Sequence, residues 1–100
     1  MTQSQNIETL QRLDAVVSGK VQGVAFRYFT QLKAKELGVV GWCMNQRDGS
    51  VLVVAEGEKA QLDGLLAWLY DGSPSSQVRD VKVEWSEGIG KFKQFNVKRF

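Results

Sequence analysis

The spacing of apolar residues divides the chain into predicted strands and helices. Alternating or continuous apolar runs, which are typical of strands, occur at 13–18, 39–45, 51–55, 81–85 and from 95 to the C-terminus. Spacings of three and four residues, which are typical of amphipathic helices, connect Phe26, Thr30, Ala34 and Leu37 in one segment, and Leu62, Leu65, Leu66 and Leu69 in another. The predicted order is therefore β-α-β-β-α-β, followed by a C-terminal strand.

Residues at the ends of these segments fit the same order. Gly38 stands where a helix C-cap glycine belongs, and Glu58 suits the start of the second helix. Asp48-Gly49 favours a tight hairpin between the second and third strands. Right-handed crossovers of this pattern interleave into one sheet. We therefore predict an α+β fold, the ferredoxin-like plait, with an antiparallel sheet that carries both helices on one face.

The predicted domain boundary lies early in the chain. Residues 1–12 are polar, and we expect a loosely ordered leader there. This stretch lacks the apolar core of a signal peptide, and no later segment has the length and apolarity of a membrane span. Residues 13–100 form a single predicted domain without repeats or low-complexity segments.

Composition and charge exclude several classes of function. The 13 basic and 11 acidic residues leave a net charge of +2, which is too low for bulk attraction to nucleic acid or membranes. The single cysteine, Cys43, excludes an intramolecular disulfide, and the chain has no histidine, the commonest general base and metal ligand. We expect a cytoplasmic monomer without a metal, a cofactor, a nucleic-acid partner or a membrane partner.

The segment from Gly19 to Arg27 has the features of an anion cradle. It joins the first strand to the first helix, and its two glycines, Gly19 and Gly23, allow backbone torsions that turn amide N–H groups inward. The helix start adds its unpaired N–H groups and the positive end of its dipole. The planar guanidinium of Arg27 suits two oxygens of one anion. The segment therefore predicts a phosphate-sized binding site.

Asn45 is a second candidate, at the end of the second strand beside the predicted hairpin. Asparagine is common at turns, but its neutral amide also donates one hydrogen bond and accepts another. Such a group can orient a water molecule without deprotonating it. The sequence spacing does not establish that Asn45 lies beside the cradle.

Two segments resemble the signatures of the acylphosphatase family. The first is Val17-x-Gly19-x-Val21-Gln22-Gly23-Val24-x-Phe26-Arg27, and the second is Gly41-Trp42-Cys43-Met44-Asn45 followed by Gly49, Val51 and Gly57. The resemblance covers about residues 13–100, and two signatures at the expected separation are a specific signal. It implies hydrolysis of small acyl phosphates to a carboxylate and inorganic phosphate.

The resemblance also implies a role for individual residues. Arg27 would bind the phosphate, and Asn45 would position the attacking water. The backbone N–H groups of the segment from Gln22 to Arg27 would line the pocket; its members are Gln22, Gly23, Val24, Ala25, Phe26 and Arg27. Gly19 and Thr30 would have supporting roles.

Other interpretations of the same residues remain open. A non-catalytic module on this fold would keep the cradle for an anionic ligand. RNA binding is disfavoured by the low charge and by the lack of the basic and aromatic pattern that such domains carry. A similar domain could also serve inside a larger carbamoyl-transfer enzyme, but 100 residues leave no room for the other domains of such an enzyme. We expect Cys43 to be a small packed residue and the carboxylates of Asp48, Glu56, Asp63 and Glu84 to lie on turns or exposed faces.

Overall fold

The helices and strands of the computed structural model follow the predicted order over the described residues, 10–99. They are β1 (Gln11–Lys20), α1 (Phe26–Leu37), β2 (Val40–Asn45), β3 (Val51–Gly57), α2 (Lys59–Asp71), β4 (Gln77–Glu87) and β5 (Phe95–Lys98). β1 begins two residues before the predicted strand and continues through Gly19 and Lys20, which the sequence placed in the loop. Residues 1–9 of the predicted leader lie outside the described part of the chain.

The five strands form one sheet in the order β4-β1-β3-β2-β5. β1 is antiparallel to β3 and β4, and β2 is antiparallel to β3, as predicted. The expectation of a wholly antiparallel sheet is wrong for β5, which runs parallel to β2. β4 ends at the same end of the sheet at which β2 begins. The short connection 88–94 crosses that end from one edge to the other, so β5 starts beside the start of β2 and runs in its direction.

Both helices pack on one face of the sheet, which confirms the α+β ferredoxin-like fold. α1 lies against β2 and β5, and α2 lies against β1, β3 and β4. The core between them is formed by alternate strand residues and the apolar stripes of the helices; it includes Leu13, Ala15, Val17, Cys43, Val53, Phe26, Ala34, Leu62, Leu65 and Leu69. Complete burial of one leucine or phenylalanine side chain stabilises a fold by about 1.5–3 kcal/mol. Burial on this face therefore fixes where α1 starts relative to β2.

Glu56 is fully buried, so its predicted exposure is wrong. The alternation of β3 places Glu56 on the face without helices, but the connection 88–94 covers that end of the face. The two carboxylate oxygens of Glu56 accept the backbone N–H groups of Ile89 at 2.9 Å and Gly90 at 3.0 Å. Local sequence patterns do not indicate this contact, because Ile89 and Gly90 lie 33 and 34 residues from Glu56.

The predicted helix ends are confirmed. Gly38 adopts a left-handed conformation with φ 78° at the end of α1, and its N–H bonds the last turn of the helix. Glu58 caps α2, where its side chain and that of Gln61 bond each other's backbone N–H groups in a capping box. Neither of the two described helices, at 12 and 13 residues, is long and apolar enough to cross a membrane.

Candidate active site

The loop 21–25 leads from β1 into α1 and leaves the start of that helix uncapped. Ala25 stands at the N-cap with φ 60° and ψ 23°, and it is the one non-glycine residue with positive φ in the described chain. No side chain caps the helix start, and its first turn contains no acidic residue. The first N–H groups of the helix have no partner within the helix. The loop therefore presents donors and the positive end of the helix dipole.

Gly19 and Gly23, the two glycines of the segment 19–27, serve different purposes. Gly23 has φ 75°, and a Cβ atom there would meet nothing within 4 Å, so the backbone torsion alone favours glycine. Gly19 lies in β1 at an irregularity of the pairing with β4. A Cβ atom on Gly19 would overlap the carbonyl oxygen of Gln77. The absence of a side chain at Gly19 therefore allows β4 to approach the strand that leads into the loop.

Arg27 lies in the first turn of α1 and is partly exposed. Its guanidinium Nη1 donates a hydrogen bond of 3.2 Å to the carbonyl oxygen of Lys98, at the end of β5. Its own carbonyl oxygen accepts the Cys43 thiol at 3.8 Å. These contacts hold Arg27 where α1, β2 and β5 meet.

A cavity of about 300 Å³ opens at this junction. Its lining residues are Gly23, Ala25, Phe26, Arg27, Tyr28, Gln31 and Val97. The first four belong to the predicted phosphate-binding set. Gln22 and Val24 of that set do not line the cavity, and the Val24 carbonyl instead accepts the Ser73 hydroxyl at 3.5 Å.

The Gln22 side chain connects the loop to the hairpin between β2 and β3. Its Nε2 donates to the carbonyl oxygens of Gln46 at 2.7 Å and Ser50 at 2.8 Å. Asn45 immediately precedes Gln46. The structure therefore brings the loop and the far end of β2 together, which the sequence spacing alone left undecided.

Asn45 is the last residue of β2. It follows Cys43 by two residues, so its side chain lies on the helix-bearing face, on the same side as Arg27. Its Oδ1 is buried and has no hydrogen-bond partner among the described residues. A buried acceptor without a partner costs about 1–3 kcal/mol. Such an atom is a candidate for a functional contact.

Comparison with known proteins identifies the family. The family model described as "Acylphosphatase" matches residues 13–97. The chain belongs to the acylphosphatase family. The matched range includes the loop, Arg27, the Gln22 contact and Asn45.

Individual acylphosphatases are similar over most of the chain. An acylphosphatase from Acaryochloris marina is 48% identical over 87 residues, which are 87% of this chain and 92% of the relative. The crystal structure of acylphosphatase from Bacillus subtilis superposes with a TM-score of 0.85 at 35% identity, covering 88% of this chain and 98% of that one. A structure of an acylphosphatase from Coxiella burnetii gives a TM-score of 0.80 at 37% identity, covering 98% and 100%.

The side chains of Thr30 and Cys43 are fully buried. The buried Thr30 hydroxyl donates to the Phe26 carbonyl oxygen at 2.8 Å, within the first turn of α1. Burial raises the pKa of the Cys43 thiol to about 12, against a smaller opposing effect of the Arg27 charge. A thiol that stays protonated at neutral pH is a poor nucleophile. In residues 10–99, no three His, Cys, Asp or Glu side chains are grouped so that they could hold a metal ion.

Several residues at the cavity were missed by the sequence analysis. Tyr28, Gln31 and Val97 line it, and the Lys98 carbonyl accepts the Arg27 guanidinium. Tyr28 and Gln31 follow the segment 19–27 in α1. Their spacing does not show whether they line a cavity or lie on an exposed helix surface. Val97 and Lys98 reach the site because β5 pairs with β2, and local patterns do not reveal that pairing.

Proposed function

We propose that this acylphosphatase-family protein hydrolyses the carboxyl–phosphate mixed anhydride of acyl phosphates to a carboxylate and inorganic phosphate. Arg27 and the backbone N–H groups of residues 22–27 bind the phosphate, and Asn45 orients the attacking water. The observation that carries the proposal is the buried, unpartnered Oδ1 of Asn45 at the same end of the sheet as Arg27 and the uncapped helix.

Phosphate binding in this proposal depends on donors that are already in place. The guanidinium of Arg27 has further N–H groups besides the one bonded to Lys98, and they supply a planar fork. The left-handed torsions of Gly23 and Ala25 bring the chain into α1 with its first N–H groups free of a cap. Donors fixed before the reaction stabilise the charge that builds on the phosphoryl oxygens without reorganising.

Asn45 supplies the second half of the mechanism. Its Oδ1 accepts a hydrogen bond from the water and thereby aims a lone pair of the water oxygen at phosphorus. Because an amide is neutral, it adds no repulsion towards the phosphate. The Gln22 hydrogen bonds keep the hairpin beside the loop, so Asn45 and Arg27 act on one substrate.

The proposed reaction needs neither a strong protein base nor a metal ion. The whole sequence contains no histidine, and an acyl phosphate has a good leaving group. Water forms a bond to phosphorus, the bond between phosphorus and the acyl oxygen breaks, and the carboxylate leaves with the bonding electrons. A phosphate oxygen takes the proton of the water. Positioning and charge stabilisation provide most of the rate enhancement in such a transfer.

Hydrolysis of benzoyl phosphate, followed by absorbance with and without EDTA, tests the proposal. We expect turnover that EDTA does not change. Loss of the rate in EDTA would contradict the metal-free mechanism. Binding of inorganic phosphate without any turnover would favour the non-catalytic anion-binding module instead.

Labelled water tests which atom is attacked. In water enriched in the heavy oxygen isotope, attack at phosphorus places the label in inorganic phosphate. Label in the carboxylate would show attack at the acyl carbon and would contradict the role given to Asn45.

The proposal places the complete site within one chain. Arg27, Asn45 and the Gln22 contact all come from the same copy. We therefore infer a functional monomer, and light scattering on the active protein tests the monomeric state. We also propose that the protein acts in the cytoplasm.

A further inference from the structure

Lys98, the last residue of β5, contacts two other elements through different groups. Its carbonyl oxygen accepts the Arg27 guanidinium at 3.2 Å. Its side-chain Nζ lies 4.6 Å from the centroid of the Trp42 ring, on β2. Lys98 therefore connects the arginine that binds phosphate in the proposed mechanism to a ring that does not line the cavity.

The Trp42 ring lies on the face of the sheet without helices. Side chains alternate between the two faces along a strand, and the next residue, Cys43, contacts the Arg27 carbonyl on the helix-bearing face. Lys98 is paired with Met44, two residues after Trp42, so its side chain is on the same face as the ring. Lys98 thus has a side-chain contact on one face and, through its carbonyl, a contact with the helix layer on the other.

The pairing of β5 gives Lys98 little other support. β5 has four residues, lies at the edge of the described sheet and pairs there with β2. The end of a short edge strand opens more readily than a strand with neighbours on both sides. A cation over an aromatic ring is attracted by the negative face of the ring. The Trp42 ring therefore adds an attachment between Lys98 and β2.

We propose that Trp42 is a positioning residue for phosphate binding: by holding the Lys98 side chain, it fixes the carbonyl that orients the Arg27 guanidinium. This inference rests on the proposed function of Arg27. A guanidinium that is already oriented loses less conformational freedom when it binds an anion. The contact between Lys98 and Trp42 therefore strengthens phosphate binding without adding a donor to the site.

Trp42→Leu tests the proposal, because it removes the ring and keeps the charge of Lys98. An exposed cation–π contact changes an equilibrium constant by about fivefold at most. We expect the inhibition constant of inorganic phosphate and KM for benzoyl phosphate to rise about three- to fivefold. The change in kcat should be smaller, because Arg27 binds the phosphoryl group both before and during the reaction. Steady-state kinetics with and without phosphate measures all three constants.

Variants of Lys98 separate the contact from the charge. Lys98→Met removes both, so the inhibition constant of phosphate should rise at least as much as in Trp42→Leu. Lys98→Arg keeps a cation that stacks on a ring, and it should keep the wild-type constants. In the double variant of Trp42→Leu and Lys98→Met, the inhibition constant should match that of Lys98→Met alone. Additive effects of the two substitutions would contradict the coupling.

The contact between Lys59 and Trp85 is the matched control. Lys59 Nζ lies 4.7 Å from the centroid of the Trp85 ring. This pair joins α2 to β4, at the opposite edge of the sheet from β5. Trp85→Leu removes a comparable contact, and we expect it to keep the wild-type inhibition constant of phosphate. Thermal unfolding checks that the variants are folded at the assay temperature, and Trp42→Met replaces Trp42→Leu if that variant does not fold.

The outcomes separate the positioning role from the function on which it rests. If the wild-type protein does not hydrolyse benzoyl phosphate, the proposed function fails. If the wild-type protein is active and Trp42→Leu keeps its inhibition constant of phosphate, the function stands and the role of Trp42 is refuted. An equal rise of that constant in Trp85→Leu would also refute the role, because the effect would then come from a general loss of packing.

Discussion

At the scale of single residues, the guanidinium of Arg27 combines a positive charge with a planar set of N–H donors. Its guanidinium is tied to the Lys98 carbonyl at 3.2 Å and lines the cavity at the same time. Lysine has the same charge but a single ammonium group, which cannot bond two phosphate oxygens in a plane while keeping the Lys98 contact.

Arg27→Lys should therefore lower kcat/KM for benzoyl phosphate by on the order of a hundredfold or more, the usual cost of losing one preorganised donor. Steady-state kinetics measures this loss, and the circular dichroism of the variant should match the wild type because Arg27 is partly exposed. Turnover at the wild-type rate would show that the guanidinium is not the phosphate ligand.

Cys43 carries a thiol that we expect burial to make unreactive. Because its thiol pKa is raised to about 12 by burial, the thiol should not react with a disulfide reagent at about pH 8 in the native protein. In denaturant, the same reagent should titrate the single cysteine fully. The thiol pKa is higher in the folded state than in the unfolded state, so protonation of Cys43 stabilises the fold. This contribution to the free energy of unfolding is complete below the unfolded pKa and is lost as pH rises towards about 12. Rapid labelling of the native protein would contradict this burial.

At this scale, the motifs single out Arg27 and Asn45 as candidates but do not indicate the surroundings of either residue. The sequence does not predict the left-handed conformation of Ala25, because alanine rarely adopts positive φ and a strained residue leaves no local pattern. It also does not predict the buried state of Glu56, since alternation along β3 gives the face of the sheet and not what covers that face.

At the scale of elements, the loop and the hairpin form one unit through Gln22. Removing its side chain in Gln22→Ala deletes the hydrogen bonds to the Gln46 and Ser50 carbonyls. We expect kcat for benzoyl phosphate to fall about tenfold, because Asn45 then moves relative to the loop, and small misplacements are costly in catalysis.

Inhibition by inorganic phosphate distinguishes this positioning effect from damage to the cradle. It should be nearly preserved in Gln22→Ala, since the loop donors are backbone groups. Gln31→Ala removes a comparable contact, from a side-chain amide to the Phe95 carbonyl, and is the matched structural control. We expect it to retain more of the wild-type kcat than Gln22→Ala. Equal losses of kcat in the two variants would contradict a specific role for Gln22.

The order of the elements was predictable because each one has a clear local signal. The leucine stripe of α2, the capping residue Glu58 and the Asp48-Gly49 turn all act within a few residues. Strand pairing across the sheet acts over long separations. The parallel pairing of β5 with β2 therefore differed from the prediction, although the strand itself was predicted.

At the scale of the whole molecule, Glu56 fastens the connection 88–94 across the end of the sheet. The two carboxylate oxygens of Glu56 accept the N–H groups of Ile89 and Gly90. Glu56→Gln replaces one of these oxygens with an NH₂ group, which cannot accept a hydrogen bond, and removes the charge from the other. We expect a loss of about 2 kcal/mol in the free energy of unfolding and a melting temperature lower by about 10 °C.

Glu84→Gln is the control for this prediction, because Glu84 carries the same charge on the same face of the sheet but is exposed. Its effect should stay within about 0.5 kcal/mol. Thermal unfolding measures both variants, and equal melting temperatures would show that the Glu56 contact does not hold the connection.

In the proposed mechanism, Arg27 and the loop hold the phosphate while Asn45 aims the water, and Asn45→Ala separates these two roles. The substitution removes a buried amide oxygen without a partner, so it should not lower the melting temperature. Measured with benzoyl phosphate, kcat should fall on the order of a hundredfold or more, while the inhibition constant of inorganic phosphate stays close to that of the wild type. A kcat near the wild-type value in this folded variant would contradict the account.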